Sequence, residues 1–138
     1  MSQDYMEQIR INFRNDRFAT ENGMVIDDAA DGYAQCSMQI EPHHRNANDQ
    51  VMGGAIYTLA DFAFAVASNG LESRYVSRSA QITYLGIVKG ETLIARARRV
   101  KDGRTACYYL VEITDERGSQ VAHMTVNGSA KPDYSRNR

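Results

Sequence analysis

The chain has 138 residues, 43% of them hydrophobic, which suits one domain with a core of ordinary size and argues against a second. Sixteen Lys and Arg against seventeen Asp and Glu leave a formal net charge of -1, so no broad positive field favours nucleic acid or an anionic membrane as partner. The opening Met-Ser-Gln-Asp-Tyr-Met-Glu-Gln lacks the basic and apolar regions of a secretory signal, and no apolar run is long enough to span a bilayer; a soluble cytoplasmic protein is expected.

In chain order, Met6, Ile9 and Phe13 recur at spacings of three and four and predict an amphipathic helix over about residues 3–15. Past Asn22-Gly23, a short apolar strand over 24–27 and a period-two strand over 33–40 flank Asp31-Gly32 and predict a hairpin. Residues 41–52 are polar and irregular, a loop of the kind that carries sites on a rigid scaffold. A helix over about 53–69 follows, stopped at Asn69-Gly70.

Four strands are expected after it, at 76–88, 91–101, 104–114 and 119–130. Asp102-Gly103 and the segment 115–118 supply hairpin turns, so the last three strands pair antiparallel. The tail 133–138, after Pro132, is expected to be loose. One α+β domain over 1–138 results, with the long central helix wrapped by a curved antiparallel sheet.

Cys36 and Cys107 lie far apart in strand-like patterns and read as reduced, buried thiols. His43 and His44 are adjacent, His123 is alone, and no Cys-x-x-Cys or His-x-x-x-His spacing occurs, so neither a metal nor another cofactor is expected. The densest basic run, Arg96, Arg98, Arg99, Lys101 and Arg104, could meet phosphates but reads better as a solvated strand edge.

The chemistry concentrates in the helix at 53–69. It opens on Gly53-Gly54, is apolar around nearly its whole circumference, and carries one carboxylate, Asp61. An ionised carboxylate is costly to bury without partners. The first turn of a helix has unpaired N–H groups and a partial positive charge, and two residues without Cβ atoms let a ligand approach it closely. Gly53 is therefore a candidate oxyanion donor, Gly54 a candidate contact, and Asp61 a candidate base or nucleophile. Tyr57, Thr58 and Ser68 fall on the stripe of Asp61, which makes Thr58 and Ser68 candidate substrate contacts. The bland alternative ties Asp61 to Thr58 or to a neighbouring strand, with no chemistry.

Across nearly its whole length the chain resembles the hotdog-fold superfamily, specifically the acyl-CoA thioesterases of the phenylacetate-degradation type. The matching residues are Asn15-Asp16-Arg17-Phe18-Ala19 with Gly23, Gly32-Tyr33-Ala34 with Met38, Asn46, Gly53-Gly54 with Leu59-Ala60-Asp61, Ser77 with Ile82-Thr83-Tyr84-Leu85, and Gly90. The resemblance implies that Asp61 acts as general base or nucleophile on the thioester and that the Gly53 N–H polarises its carbonyl. It further implies that Asn46 positions the reacting groups and that Ser77 assists the water or the Asp. Read singly, Asn46 could equally be a turn residue and Ser77 a strand start.

Met52 departs from the family pattern, in which many relatives carry His-Gly-Gly. A thioether cannot donate or titrate, so a mechanism needing imidazole there is excluded, while the backbone donors survive and Met52 is expected to line the acyl pocket. His43 or His44 is a candidate stand-in. The function expected is hydrolysis of an acyl-CoA thioester to free acid and coenzyme A; the alternative is a hotdog protein that binds acyl-CoA without turning it over. A hydratase of the same fold would need an Asp-x-Asn-Pro-x-His motif that the stretch 45–49 lacks.

Helix geometry adds an expectation about assembly. Gly53 and Asp61 are eight residues apart, about 12 Å along the axis at 1.5 Å per residue. One helix cannot serve both ends of a reacting group that must lie within about 3 Å of its donors. Two such helices, antiparallel across a two-fold axis, would place Gly53 of one subunit beside Asp61 of the other. A homodimer is expected, and the resemblance adds that dimers often pair into tetramers.

Overall fold

The computed structural model describes residues 3–132; the tail expected to be loose, 133–138, lies outside the described residues. The elements run α1 (Gln3–Phe13), α2 (Arg17–Thr20), β1 (Met24–Ala30), β2 (Tyr33–Gln39), a 3-10 turn (Pro42–His44), α3 (Gly53–Asn69), β3 (Tyr75–Tyr84), β4 (Thr92–Asp102), β5 (Ala106–Asp115) and β6 (Gln120–Ala130). The six strands form one antiparallel sheet in the order β1-β2-β4-β5-β6-β3. β5 pairs on one side with β4 and on the other with β6, as the two turns require.

β1 runs three residues past its expected end because the ladder absorbs an extra residue between Ile26 and Asp28 and then continues to the turn. β3 stops at Tyr84, four residues short of expectation, where Leu85 and Gly86 both turn their N–H groups to the Val121 carbonyl. α2 was not anticipated, since a single helical turn has no readable period.

α3 lies across the sheet on β4, β2 and β5. Small inward residues, Ala34, Ala95 and Ala97, let it approach, and Leu59, Phe62 and Val66 pack down onto them with at most 3% exposure. Burial of each such side chain contributes about 1.5–3 kcal/mol. Phe64 meets Tyr109 edge to face at 5.4 Å, and Phe13 of α1 meets Phe62 likewise at 6.2 Å. At the far end, Gly70 takes a φ of 56° and Asn69 Oδ1 accepts the N–H groups of Arg74 and Tyr75, which turns the chain into β3. Cys36 and Cys107 are free and buried in the core.

The sheet wraps α3 as expected and leaves one face open, where Gly54 and Tyr57 are exposed and Asp61 is half-buried. One expectation needs correction. The basic run does not lie on a sheet edge, because β4 is internal, between β2 and β5. Arg96 and Arg98 sit on its solvent face, where Arg96 bonds Gln35, while Arg99 reaches Asp31 and Asp102. Among the described residues no helix is long and apolar enough to cross a membrane.

Candidate active site

The start of α3 is an extended residue followed by two glycines. Met52, with φ -65° and ψ 137°, precedes the helix and offers no side-chain cap; its carbonyl accepts the N–H groups of Ala55 and Ile56. The N–H groups of Gly53 and Gly54 make no backbone hydrogen bond among the described residues, and they carry the positive end of the helix dipole. Tyr84 of β3 reaches over this turn and donates to the Gly53 carbonyl at 3.0 Å. Its hydroxyl lies 3.0 Å from where a Cβ on residue 53 would stand, so glycine is what lets the tyrosine seat there.

Two turns on, Asp61 is half-buried and its carboxylate makes no hydrogen bond among the described residues. The Thr58 hydroxyl, its nearest candidate partner, instead donates to the Gly54 carbonyl at 2.7 Å. Burial first, and the negative charge of Asp16 second, raise the pKa of Asp61 above the ordinary carboxylate value. Tyr57, one turn before Asp61 on the open face, has its own pKa raised by burial, by Asp61 and by Tyr84. A carboxylate whose lone pairs are unclaimed is free to accept a proton or attack a carbonyl.

Beside the helix start lies an apolar pocket of about 270 Å³. Met52, Gly54, Ala55 and Thr58 form its helix side, and Phe18, Met24 and the two histidines form the other. Both His43 and His44 thus border the pocket, the two candidates for an imidazole supplied from the loop. His44 is 4% exposed, its Nδ1 accepts the Glu41 N–H at 2.9 Å, and its buried Nε2 faces the Asn22 carbonyl without completing a hydrogen bond. Burial, then the neighbouring His43, lowers its pKa, so it stands as a neutral ring built into the loop.

The remaining expected site residues are dispersed in the single chain. Asn46 is exposed, and its Oδ1 accepts the N–H groups of Asn48 and Gln50, an Asx turn that shapes the loop before the glycines. Ser77 is exposed on β3 opposite Gly128. Ser68 is 4% exposed and donates to the Phe64 carbonyl at 2.8 Å, two turns beyond Asp61 and away from the pocket that Met52, Gly54 and Thr58 share. Sequence reasoning did not single out Tyr84, Asp16, Phe18 or Met24 as parts of the site. Their only signals were Asp16, Phe18 and Tyr84 among the residues of the family resemblance.

A family model described as Thioesterase superfamily matches residues 49–122, which include the glycine pair and Asp61. The acyl-coenzyme A thioesterase PaaI of Escherichia coli is 29% identical over 124 residues, 88% of each chain. A protein of Archaeoglobus fulgidus is 32% identical over 120 residues, 86% of this chain and 74% of that one. The structure of the E. coli PaaI protein, from the phenylacetic acid degradation operon, superposes with a TM-score of 0.85 at 25% identity and covers 94% of this chain and 95% of its own. A Thermus thermophilus protein superposes at 0.78 with 31% identity, over 83% of this chain and 97% of that one.

Proposed function

Because the chain belongs to the Thioesterase superfamily and is a PaaI-like thioester hydrolase of the hotdog fold, we propose that it cleaves acyl-CoA into free acid and coenzyme A at sites shared between two subunits. The observation that carries the proposal is Asp61: a half-buried carboxylate with raised pKa and no hydrogen-bond partner among the described residues, on the open face of α3.

The Gly53 N–H, at the positive end of the helix, binds the thioester carbonyl oxygen and gains strength as that oxygen becomes negative. Asp61 of the other subunit takes a proton from water as the water adds to the carbonyl carbon, or attacks that carbon itself to give an anhydride that water then opens. Collapse of the tetrahedral adduct breaks the carbon–sulfur bond, and the departing thiolate takes up the proton. The acyl group lies in the pocket of Met52, Gly54 and Thr58, while Asn46 and Ser77 position the thioester and the water.

The pairing of subunits is supported by two features of the isolated chain. The Gly54–Tyr57–Asp61 face of α3 is uncovered, and β3 leaves one edge unpaired, with Val76 and Tyr84 exposed and Leu85 and Ile87 following at 48% and 61% exposure. A two-fold dimer is the smallest assembly that completes a site, and pairs of dimers are compatible with it.

Subunit mixing tests this. Asp61→Asn and Gly53→Pro should each be inactive, the proline removing one N–H at a helix position where proline is tolerated and the extended Met52 can precede it. In a mixed dimer one site carries both lesions and the other neither, so random co-assembly restores about a quarter of wild-type activity. Verified mixed dimers without recovery would overturn the shared site.

A further inference from the structure

Ala55, Thr58 and Phe62 follow one another along a single face of α3 at spacings of three and four. The pocket of about 270 Å³ lies over Ala55 and Thr58. One turn further, about 6 Å along the axis, a second cavity of about 330 Å³ lies over Phe62, with Phe13, Thr20 and Ile26 around it. Of the residues bordering these two spaces, Met24 at the start of β1 alone borders both. It is 4% exposed, so its side chain is packed into the wall that the two spaces share.

We propose that Met24 is the wall that limits acyl length, a reading that rests on the thioesterase assignment above. A carbonyl held at Gly53 directs its acyl group along the face of Ala55 and Thr58, and the first chain atoms to pass Thr58 meet the Met24 side chain. The space before that wall, about 270 Å³, lies at the small end of ligand pockets, which suits a short aliphatic chain or a single aromatic ring. The second cavity, larger than the first, is lined by Phe13, Val25, Ile26 and Phe62 with Arg10 and Arg14 beside them, and one unbranched, deformable side chain separates it from the first.

The test is a length series read in two independent ways: kcat/KM on straight-chain acyl-CoA thioesters from acetyl to palmitoyl, and calorimetric affinity for the matching free carboxylic acids. In the wild type both should climb by up to about fourfold per methylene and then break where the chain reaches Met24. Met24→Ala should carry the climb on for several further methylenes, with at least a tenfold gain in the ratio of long-chain to short-chain kcat/KM, while Met24→Leu, of similar volume, keeps the wild-type break. Met24→Val, a milder truncation that suits a strand, should shift the break in the same direction and reports if the alanine variant does not fold. An unchanged break in a folded truncation overturns the wall. If no acyl-CoA is hydrolysed but the acid-binding break still moves, the wall stands and the thioesterase reading falls; if hydrolysis proceeds and the break stays, the wall alone falls.

Discussion

The Tyr84 hydroxyl, 31 residues on in sequence, donates to the Gly53 carbonyl at 3.0 Å and lies 3.0 Å from where a Cβ at position 53 would stand, so a side chain there must push it aside. The edge strand therefore reports on the helix start, and the two positions are coupled. Gly53→Ala should push the tyrosine hydroxyl, the far end of a flexible side chain, off the Gly53 carbonyl. The stability cost should be small, about 1 kcal/mol for one exposed hydrogen bond. The activity cost should be larger, because the first turn loses both its clasp and its open approach. Tyr84→Phe removes the bond alone and should lower kcat/KM by about fivefold or less, and the double variant should match Gly53→Ala, since both break the same contact. Additive losses in the double variant would mean that the contact plays no part in seating the turn.

The pH dependence of turnover follows from Asp61. The reactive form is the ionised one, so activity should fall with acid, and because burial and Asp16 raise the pKa the limb should sit above the ordinary carboxylate value. Asp16→Asn removes the like charge and should move the limb to lower pH. The linkage has the opposite sign for stability: a folded-state pKa above the unfolded value favours folding at low pH and costs stability once pH rises through it. Asp61→Asn should thus lose turnover by about two orders of magnitude or more while unfolding at neutral pH no more easily than the wild type. A limb that Asp16→Asn leaves in place would assign the acid limb to another group.

Met52 stands where the family pattern leads one to expect histidine, lines the pocket and is 55% exposed. If backbone N–H groups supply the oxyanion site, Met52→Leu should keep kcat within about tenfold, since no side-chain hydrogen bond is lost and the volume is similar. Met52→His tests the converse: a large gain in kcat would show that the imidazole of relatives does chemistry that this chain forgoes. Steady-state kinetics on one good acyl-CoA substrate suffices for both.

How much of this was legible in the sequence depended on how local the cause was. α3 and the hairpin turns were readable because apolar period and Gly-containing pairs act within a few residues. Asn46 was left between two readings, and the fold shows why: its side chain is used within the loop itself, on Asn48 and Gln50. Ser68 fell on the stripe of Asp61 by helical period, yet its hydroxyl bonds back to Phe64 and the surface there is covered, which a period cannot reveal. The influence of Asp16 on Asp61, the reach of Tyr84 to Gly53 and the position of Met24 between two cavities are contacts between distant segments. No spacing along the chain encodes them.

Asp115 gives a prediction about stability that is independent of the active site. It is 1% exposed at the end of β5; its Oδ2 accepts the N–H groups of Lys89 and Gly90, and its Oδ1 those of Arg117 and Ser119. Burial alone would raise its pKa, but the hydrogen bonds from Lys89, Ser119 and Gly90 outweigh that and hold it at about 2. The carboxylate pins the loop before β4 to the turn after β5, and Glu116 extends the pin to the N–H groups of Glu91 and Thr92. Asp115→Asn keeps the shape but turns an NH2 toward two of the donors, and should cost about 3 kcal/mol at neutral pH. A folded pKa below the unfolded value of about 3.9 means that the stabilisation is present above pH about 4 and is lost as pH falls toward 2. Urea unfolding of wild type and variant should therefore show a gap that is constant from neutral pH down to about 4 and narrows below it. A gap that persists undiminished at the acid end would mean that packing of the side chain, and not its charge, secures the turn.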